Sequence, residues 1–443
     1  MGSLAQSDST PFSLRDLKRF AFVIFVFAFA LRLVMAWKAG FFSNFKPNYQ
    51  TEMVRIALSL VKDHEYGNPF VTHTGPTAHE MPLYPLFLAV LYRIFGPGAL
   101  AEAVKIALAC AVSALRCALL VVFCAEILGH KIAVTAGILS CVYIAALETE
   151  LRGNWDTPWQ AMVLLLLTWG TVSLWQEQSW VRRTPWPYFM LWGAAILLQP
   201  AFLPVLAAFM LAGFMACQKE LRGAFLKRCL LWIAVIVVFL SPWTVRNYFQ
   251  LGKLVLTRDN FGLEFWQSYG PGRAFDMATD MGPTVPHPSS NRLESQQVLR
   301  LGEVKYNQTK LMEAEAWVRT NPRESVRLTV FRFLAFWLPL GRNASHSVIN
   351  FSISLLAFAG LALLFRRHRL LAILFALAWL SYPLVYYIVR YSPRYRYPLT
   401  WQLMVCASMS LNWILNFVMD LHQIDRTGAS VDHGSSRDPD FWN

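Results

Sequence analysis

Residues Phe20 to Trp37 read FAFVIFVFAFALRLVMAW, an apolar run whose one charge is Arg32, with the basic group Arg15, Lys18 and Arg19 just ahead of it. At about 1.5 Å of rise per residue, a helix of about 20 such residues crosses the ~30 Å hydrocarbon core of a bilayer. The run is long for a signal-peptide core and lacks the usual cleavage pattern, so it is expected to stay as a first span. Similar runs recur throughout the chain. Its 443 residues are 56% hydrophobic and 15% charged, against about 25% charged in ordinary soluble domains. Spans are expected near residues 19–39, 100–128, 131–147, 157–175, 186–199, 201–217, 228–246, 347–365, 369–389 and 398–418. The expected fold is thus an all-α polytopic membrane protein, a bundle of about ten transmembrane helices, because lipid leaves helices as the way to satisfy a spanning backbone.

The formal net charge of +13 falls in short clusters between the apolar runs. With a cytoplasmic N-terminus, Lys131, then Arg182 and Arg183, then Lys219, Arg222, Lys227 and Arg228, then Arg366, Arg367 and Arg369 all fall inside, as the resistance of Lys and Arg to translocation requires. A nucleic-acid stripe would not be split this way, so no nucleic-acid partner is expected. The chain then divides into a cytoplasmic tail (1–18), an N-terminal transmembrane catalytic module (19–246) with a first outer loop (40–99), a long outer loop (247–346), C-terminal helices (347–420) and a disordered cytoplasmic tail (421–443). Interfacial helices are expected at 49–61 and 83–95 in the first loop, and helices at 291–320 and 323–340 in the long one.

All seven cysteines lie in or beside apolar segments, so no disulfide framework is expected, and Cys110, Cys117 and Cys124 share one helix face as packing residues. No glycine loop of the phosphate-cradling kinds is present, which argues against a nucleotide-driven pump.

The outer segments carry the polar motifs. They are Tyr49-Gln50-Thr51-Glu52-Met53-Val54-Arg55-Ile56-Ala57, Asn68-Pro69-Phe70, Thr74-Gly75-Pro76-Thr77-Ala78 and Pro82-Leu83-Tyr84-Pro85 in the first loop. Later come Trp155-Asp156-Thr157, Pro242-Trp243-Thr244-Val245-Arg246-Asn247-Tyr248, Gly302-Glu303-Val304-Lys305-Tyr306 and Arg394-Tyr395-Arg396-Tyr397-Pro398. In order and spacing this set resembles bacterial membrane glycosyltransferases of family 39, of the GT-C class that includes protein mannosyltransferases and lipid A aminoarabinose transferases. The resemblance implies a GT-C helix bundle in the bacterial cytoplasmic membrane with its active site facing the periplasm. It implies transfer of a sugar, with inversion, from a polyprenyl-phosphate donor to a lipid, glycan or protein acceptor. The chain departs from the pattern at His79-Glu80-Met81 and at Gln199-Pro200, where relatives tend to carry apolar or aromatic residues and Asn-Pro.

The resemblance implies that Glu52 is the base on the acceptor, and the chemistry agrees: an attacking hydroxyl or amine must lose a proton, and a carboxylate within hydrogen-bond reach takes it. A lipid phosphate leaves as a stable anion, so the reaction needs a base and cations but no general acid. Asp156 stands where the class often has a second acid, although Asp before Thr157-Pro158 is also a good helix N-cap. Glu148 and Glu150 are nearby alternatives, otherwise solvated. Arg390, Arg394 and Arg396 lie outside against the charge bias, as does Arg246, and guanidinium binds phosphate oxygens in pairs. Arg396 and Arg394 are the leading donor-phosphate ligands, and Arg246 reads rather as fixing the chain's exit from the membrane. Arg32 and Arg116, inside spans, are functional candidates without an evident partner. His73, His79 and Glu80 match no standard metal spacing, so no cofactor is expected; the resemblance leaves a divalent ion open. A transporter or flippase is the alternative class, but it would carry inverted repeats and paired broken helices, which the sequence does not show.

Overall fold

The structure, a computed structural model, describes residues 13–41, 51–151, 155–176, 184–273, 285–339 and 344–428. Of the features above, Tyr49, Gln50, Arg182, Arg183 and the chain from 429 onward lie outside the described residues. All named regular elements are helices, and pairing of strand type is limited to an isolated bridge between Gly67 and Pro76.

The first is α1 (Leu14–Lys38), started by Ser13, whose hydroxyl accepts from Asp16 N–H at 3.2 Å. In the segment after α1, α2 (Glu52–Lys62) and α3 (Leu83–Phe95) pack on each other, and α2 buries Met53, Ile56 and Ala57 at helical spacing. Then come α4 (Ala99–Ile127), α5 (His130–Val142), α6 (Ile144–Glu150), α7 (Thr157–Gln176), α8 (Trp186–Leu198), α9 (Phe202–Ala216) and α10 (Arg222–Leu251). The long segment after α10 holds α11 (Phe261–Ser268), α12 (Arg292–Leu301), α13 (Glu303–Thr320) and α14 (Pro322–Trp337). The chain ends in α15 (Ala344–Arg367), α16 (Arg369–Ser381), α17 (Leu384–Ile388), α18 (Pro393–Arg396) and α19 (Thr400–Gly428).

Among the described residues, six helical stretches are long and apolar enough to cross a membrane, and the pair α5–α6, bent by 54°, makes a seventh if it is one span. The expected count of about ten is therefore not met on length and composition. The other three expected segments are helical, but α8 and α9 have 13 and 15 residues, short of a ~30 Å core, and α7 is broken up chemically by Gln160, Thr168 and Thr171. The single helix expected over 291–320 is two, because Gly302 has φ +77° and ends α12 before α13 begins. Helix α19 runs through Gly428, beyond Leu421, where a disordered tail was expected to begin.

The main core draws on α1, α4, α5, α7, α8, α9, α16 and α19. Cys110, Cys117 and Cys124 are fully buried and free, in keeping with packing. Helices α15 and α19 approach so closely that a Cβ at Gly360 would fall 1.7 Å from Cys406 O, which makes glycine obligatory there.

Arg32 and Arg116, unpartnered in the sequence reading, both reach Glu150: Arg32 Nε at 2.5 Å and Arg116 Nη2 at 2.9 Å, all three buried. Tyr397 donates its hydroxyl to the same carboxylate. Glu150, expected in a solvated loop, is thus the hub that ties α1 and α4 to the turn carrying Arg394 and Arg396. Glu148 is the exposed member of the pair and faces His346 at 3.6 Å.

Candidate active site

The loop between α2 and α3 is fixed before any site residue is placed. Asn68 N–H donates to Gly75 O at 2.9 Å, and Asn68 Oδ1 accepts from Gly75 N–H at 2.9 Å. Glu303, at the start of α13, accepts from Ala78 N–H at 2.7 Å and from the Thr77 hydroxyl. Burial pushes this carboxyl up to about 8. Arg246 donates to Thr77 O at 2.6 Å and to Tyr66 O at 2.5 Å. Helix α13 is in turn clamped to α11, where a Cβ at Gly262 would fall 2.0 Å from Asn307 O.

These restraints hold Glu80 in the wall of a cavity of about 350 Å³. Its polar wall is Glu80, Trp155, Asp156, Gln160, Arg258, Glu264 and Arg394, and its aromatic wall includes Tyr382, Tyr386 and Tyr395. Arg258 sits after α10 on a strand of chain pinned by Trp243 Nε1 to Thr257 O (2.7 Å) and by Asp259 N–H to Ala78 O (3.0 Å). It pairs with Glu80 at 2.8 Å. Burial, with Glu52 and Asp156 adding to it, pushes Glu80 up to about 7 against the pull of Arg258.

Asp156 opens α7, its carbonyl accepting from Gln160 N–H at 3.0 Å. Its side chain is 3% exposed, and Oδ2 has no hydrogen-bond partner among the described residues. Burial raises its pKa, with Arg258, Gln160 and Arg394 opposing. Arg394 lies with its guanidinium carbon 3.5 Å from the centre of the Trp155 ring, and Tyr395 beside it stacks on Tyr386 at 4.3 Å. Two guanidinium groups beside aromatic walls suit an anionic, ring-bearing ligand, and a buried carboxylate oxygen with no donor suits a hydroxyl or amine next to it.

The expected site residues separate. Asp156 and Arg394 line the cavity; Glu52, Arg246, Arg390 and Arg396 do not. Helix α2 turns Met53 into the cavity and Glu52 away from it, toward His287, whose Nδ1 is 3.7 Å from Glu52 Oε1. Burial works against the Glu52 carboxylate, but His287 and then His79, together with a hydrogen bond from Ser289, leave its pKa below the usual value. His79 is itself pushed down to about 3 by burial.

Arg396 is 3% exposed and donates to Ser354 Oγ at 2.7 Å, on the side of α15. Arg390 N–H donates to Ser268 Oγ at 2.7 Å. Arg246 spends its donors on loop carbonyls, as its structural reading expected. Alternation along the 394–396 turn explains the split: Arg394 and Arg396 leave the same short helix on different sides.

Sequence reasoning missed Arg258, a single Arg in a loop without a motif; its place just after the end of α10 was the available signal. It also missed His287 as the neighbour of Glu52. Of the three residues weighed for metal, His79 joins a cluster able to hold an ion, formed with Glu52 and His287, while Glu80 lines the cavity.

No family model matches the chain and no curated protein does, so the family 39 resemblance rests on the motifs alone. Among solved structures the chain is similar to an Archaeoglobus fulgidus oligosaccharyltransferase in complex with Zn and sulfate, with 14% identity over 90% of this chain and 49% of that one and a TM-score of 0.52. It is also similar to the oligosaccharyltransferase AglB from Archaeoglobus fulgidus in complex with an inhibitory peptide and a dolichol-phosphate, with 14% identity, 95% and 53% coverage and a TM-score of 0.50. ArnT from Cupriavidus metallidurans bound to undecaprenyl phosphate is a weaker match, with a TM-score of 0.38. The chain spans about half the length of the two oligosaccharyltransferases, at 49% and 53% of theirs. What it has in common with them is an all-helical membrane fold.

Proposed function

We propose that this protein is a membrane glycosyltransferase that moves a sugar from a polyprenyl-phosphate donor onto a lipid, glycan or protein acceptor at the periplasmic face of a bacterial cytoplasmic membrane, with inversion. The observation that carries the reading is the convergence of Asp156, with its unpartnered Oδ2, and the cations Arg258 and Arg394 on one cavity. The fold shared with oligosaccharyltransferases, one of them solved with a dolichol-phosphate, supports it.

The donor phosphate is assigned to Arg258 and Arg394, with the sugar against Trp155 and the tyrosines. Asp156 takes the proton from the acceptor hydroxyl or amine as that atom attacks the anomeric carbon. The bond from that carbon to the phosphate oxygen breaks, and its electron pair leaves on the phosphate, between two guanidinium groups that stabilise the anion. Attack from the face opposite the leaving group inverts the anomeric centre. The base therefore passes from Glu52 to Asp156, which the cavity brings next to the cations, and Glu80 serves by holding Arg258.

Envelope lipids, glycans and glycoproteins of a strain lacking the gene, compared by mass spectrometry with its parent, should lack one sugar. The wild-type gene should restore it and an Asp156→Asn copy should not. An unaltered profile in the deletion strain, or full restoration by the Asp156→Asn copy, would reject the reading.

A further inference from the structure

Behind the cavity wall, Glu52, His79 and His287 converge so that one ligand atom from each lies within 4.8 Å of the others. They come from separate segments: the start of α2, the turn before α3 and the chain leading into α12. Other bonds hold each segment in place. Arg55 on α2 donates to Ser289 O at 2.9 Å, and the Thr72 N–H donates to Ser295 Oγ at 3.0 Å, so the first loop and the α12 segment are stitched together around the cluster. The His79 ring meets Phe70 edge-on at 5.1 Å and His287 at 6.2 Å.

We propose that Glu52, His79 and His287 form a binding site for one divalent ion of the zinc class. His79 is 2% exposed and its Nδ1 has no hydrogen-bond partner among the described residues. An imidazole nitrogen buried without a partner is costly, and a metal ion is one of the few ligands that uses its lone pair. The 3.7 Å from Glu52 Oε1 to His287 Nδ1 is close to the ~3.4 Å that separates two ligands about 2.1 Å from a tetrahedral zinc. His287 Nδ1 also accepts from Ser289 N–H at 3.0 Å and lies 2.5 Å from Ser289 Oγ. An ion bound through Nδ1 takes the place of these two hydrogen bonds.

Two imidazoles and one carboxylate favour zinc-class ions over Mg²⁺, which takes oxygen ligands in octahedral array. Three protein ligands also leave one position of a tetrahedral ion open. Met53 and Glu80, next in sequence to Glu52 and His79, line the cavity, so the ion stands at its margin. The site stands or falls separately from the transferase reading, because its test needs no substrate.

Full-length protein in lipid nanodiscs, stripped with a chelator, is given Zn²⁺ or Mg²⁺, gel-filtered and assayed for bound metal, with zinc affinity measured by competition with a chromophoric chelator. The wild type should retain about one zinc per chain and no Mg²⁺. His287→Ala and His287→Gln should each weaken zinc at least about a hundredfold, with Glu52→Gln doing the same and His73→Ala, on an exposed histidine of the same loop, leaving it unchanged. Thermal unfolding reports folding separately: zinc should raise the midpoint of the wild type and leave that of a folded His287→Gln protein where it is. Absence of retained zinc in the folded wild type, or wild-type affinity in either folded His287 variant, overturns the site. A cluster held by hydrogen bonds alone would give that result.

Discussion

The Arg394 guanidinium lies flat enough on Trp155 to bring its carbon 3.5 Å from the ring centre, and Asp156 is the next residue along. A cation stacked on the indole and the unpartnered carboxylate are thereby placed by two adjacent residues of the segment before α7. Stacking itself uses no N–H group, and although Nη2 donates to the Tyr395 hydroxyl at 3.3 Å, the remaining N–H groups can serve a phosphate. Arg394→Ala should weaken binding of undecaprenyl phosphate by nanodisc-embedded protein by at least about tenfold, and Arg394→Lys by less, since it keeps charge but not the planar fork. Arg396→Ala should leave binding near the wild-type value. Stronger impairment in the Arg396 variant would reassign the phosphate to the α15 side of the turn.

Asp156 works as a base only when ionised, and burial raises its pKa. The transfer rate should therefore fall as pH drops through a value above the ordinary aspartate range, and Asp156→Asn should lose activity at every pH by about 10²–10⁴-fold, the usual share of a general base. Glu80 is pushed up to about 7, with the Asp156 charge among the causes. Glu80→Gln should keep the acid limb of the rate profile, because Asp156 still supplies it. Loss of the limb in that variant would assign it to Glu80 and not to Asp156.

Much of this arrangement was legible in the chain. Phe20 to Trp37 announces its helix by apolar length, and α2 by the spacing of Met53, Ile56 and Ala57. Pairings over long separations were not legible. Glu150 meets Arg32 across 118 positions, and nothing local marks it, because the contact exists only once α1, α4 and α6 are packed. The same holds for His287 beside Glu52 and for Arg258 beside Glu80. Periodicity tells which face of a helix is buried, but which acid a buried cation meets is set by tertiary packing. The direction of Arg394 against Arg396 depends on the local turn of α18, too short for its pattern to be read.

The Glu150 hub yields a stability prediction. Removing one partner from a buried ion pair costs about 3–5 kcal/mol, because the charge left behind has lost its counter-ion. Here Glu150→Gln leaves two buried guanidinium groups facing each other. The midpoint of thermal unfolding should fall well below that of the wild type. Replacing Arg116 as well, as Glu150→Gln with Arg116→Gln, should recover part of the loss, since one uncompensated cation is removed. Absence of recovery would mean that Arg116 and Glu150 are not coupled.

Glu303 gives a pH-dependent stability. Its carboxyl is shifted from 4.5 to about 8 by burial, so between those values the folded protein holds a proton that the unfolded chain has released. Stability from this residue is greatest below pH 4.5 and declines as pH rises toward about 8, with a slope of up to about 1.4 kcal/mol per pH unit. Glu303→Gln keeps an acceptor for Ala78 N–H and has no proton to lose, so the unfolding midpoint across this window should vary less with pH than in the wild type. An equal slope in both proteins would assign the dependence to other groups.

The side of the membrane faced by the cavity is open to labelling, and the structure chooses where to look. Thr77 lies in the loop between α2 and α3 but is fully buried beneath Glu303, so a cysteine there is shielded in the folded protein. His73, four positions earlier, is exposed. Of the natural cysteines, five are buried and Cys217 and Cys229 are half-buried, so the unsubstituted protein serves as the background. A membrane-impermeant maleimide added to intact spheroplasts should label His73→Cys and leave Thr77→Cys unreacted until the protein is unfolded. Because the loop that carries His73 also carries Glu80 and packs on the chain around Arg258, its side is the side of the cavity. Labelling of His73→Cys only after the membrane is permeabilised would put the cavity on the cytoplasmic face, where a base and two phosphate-binding cations would serve a donor presented from inside.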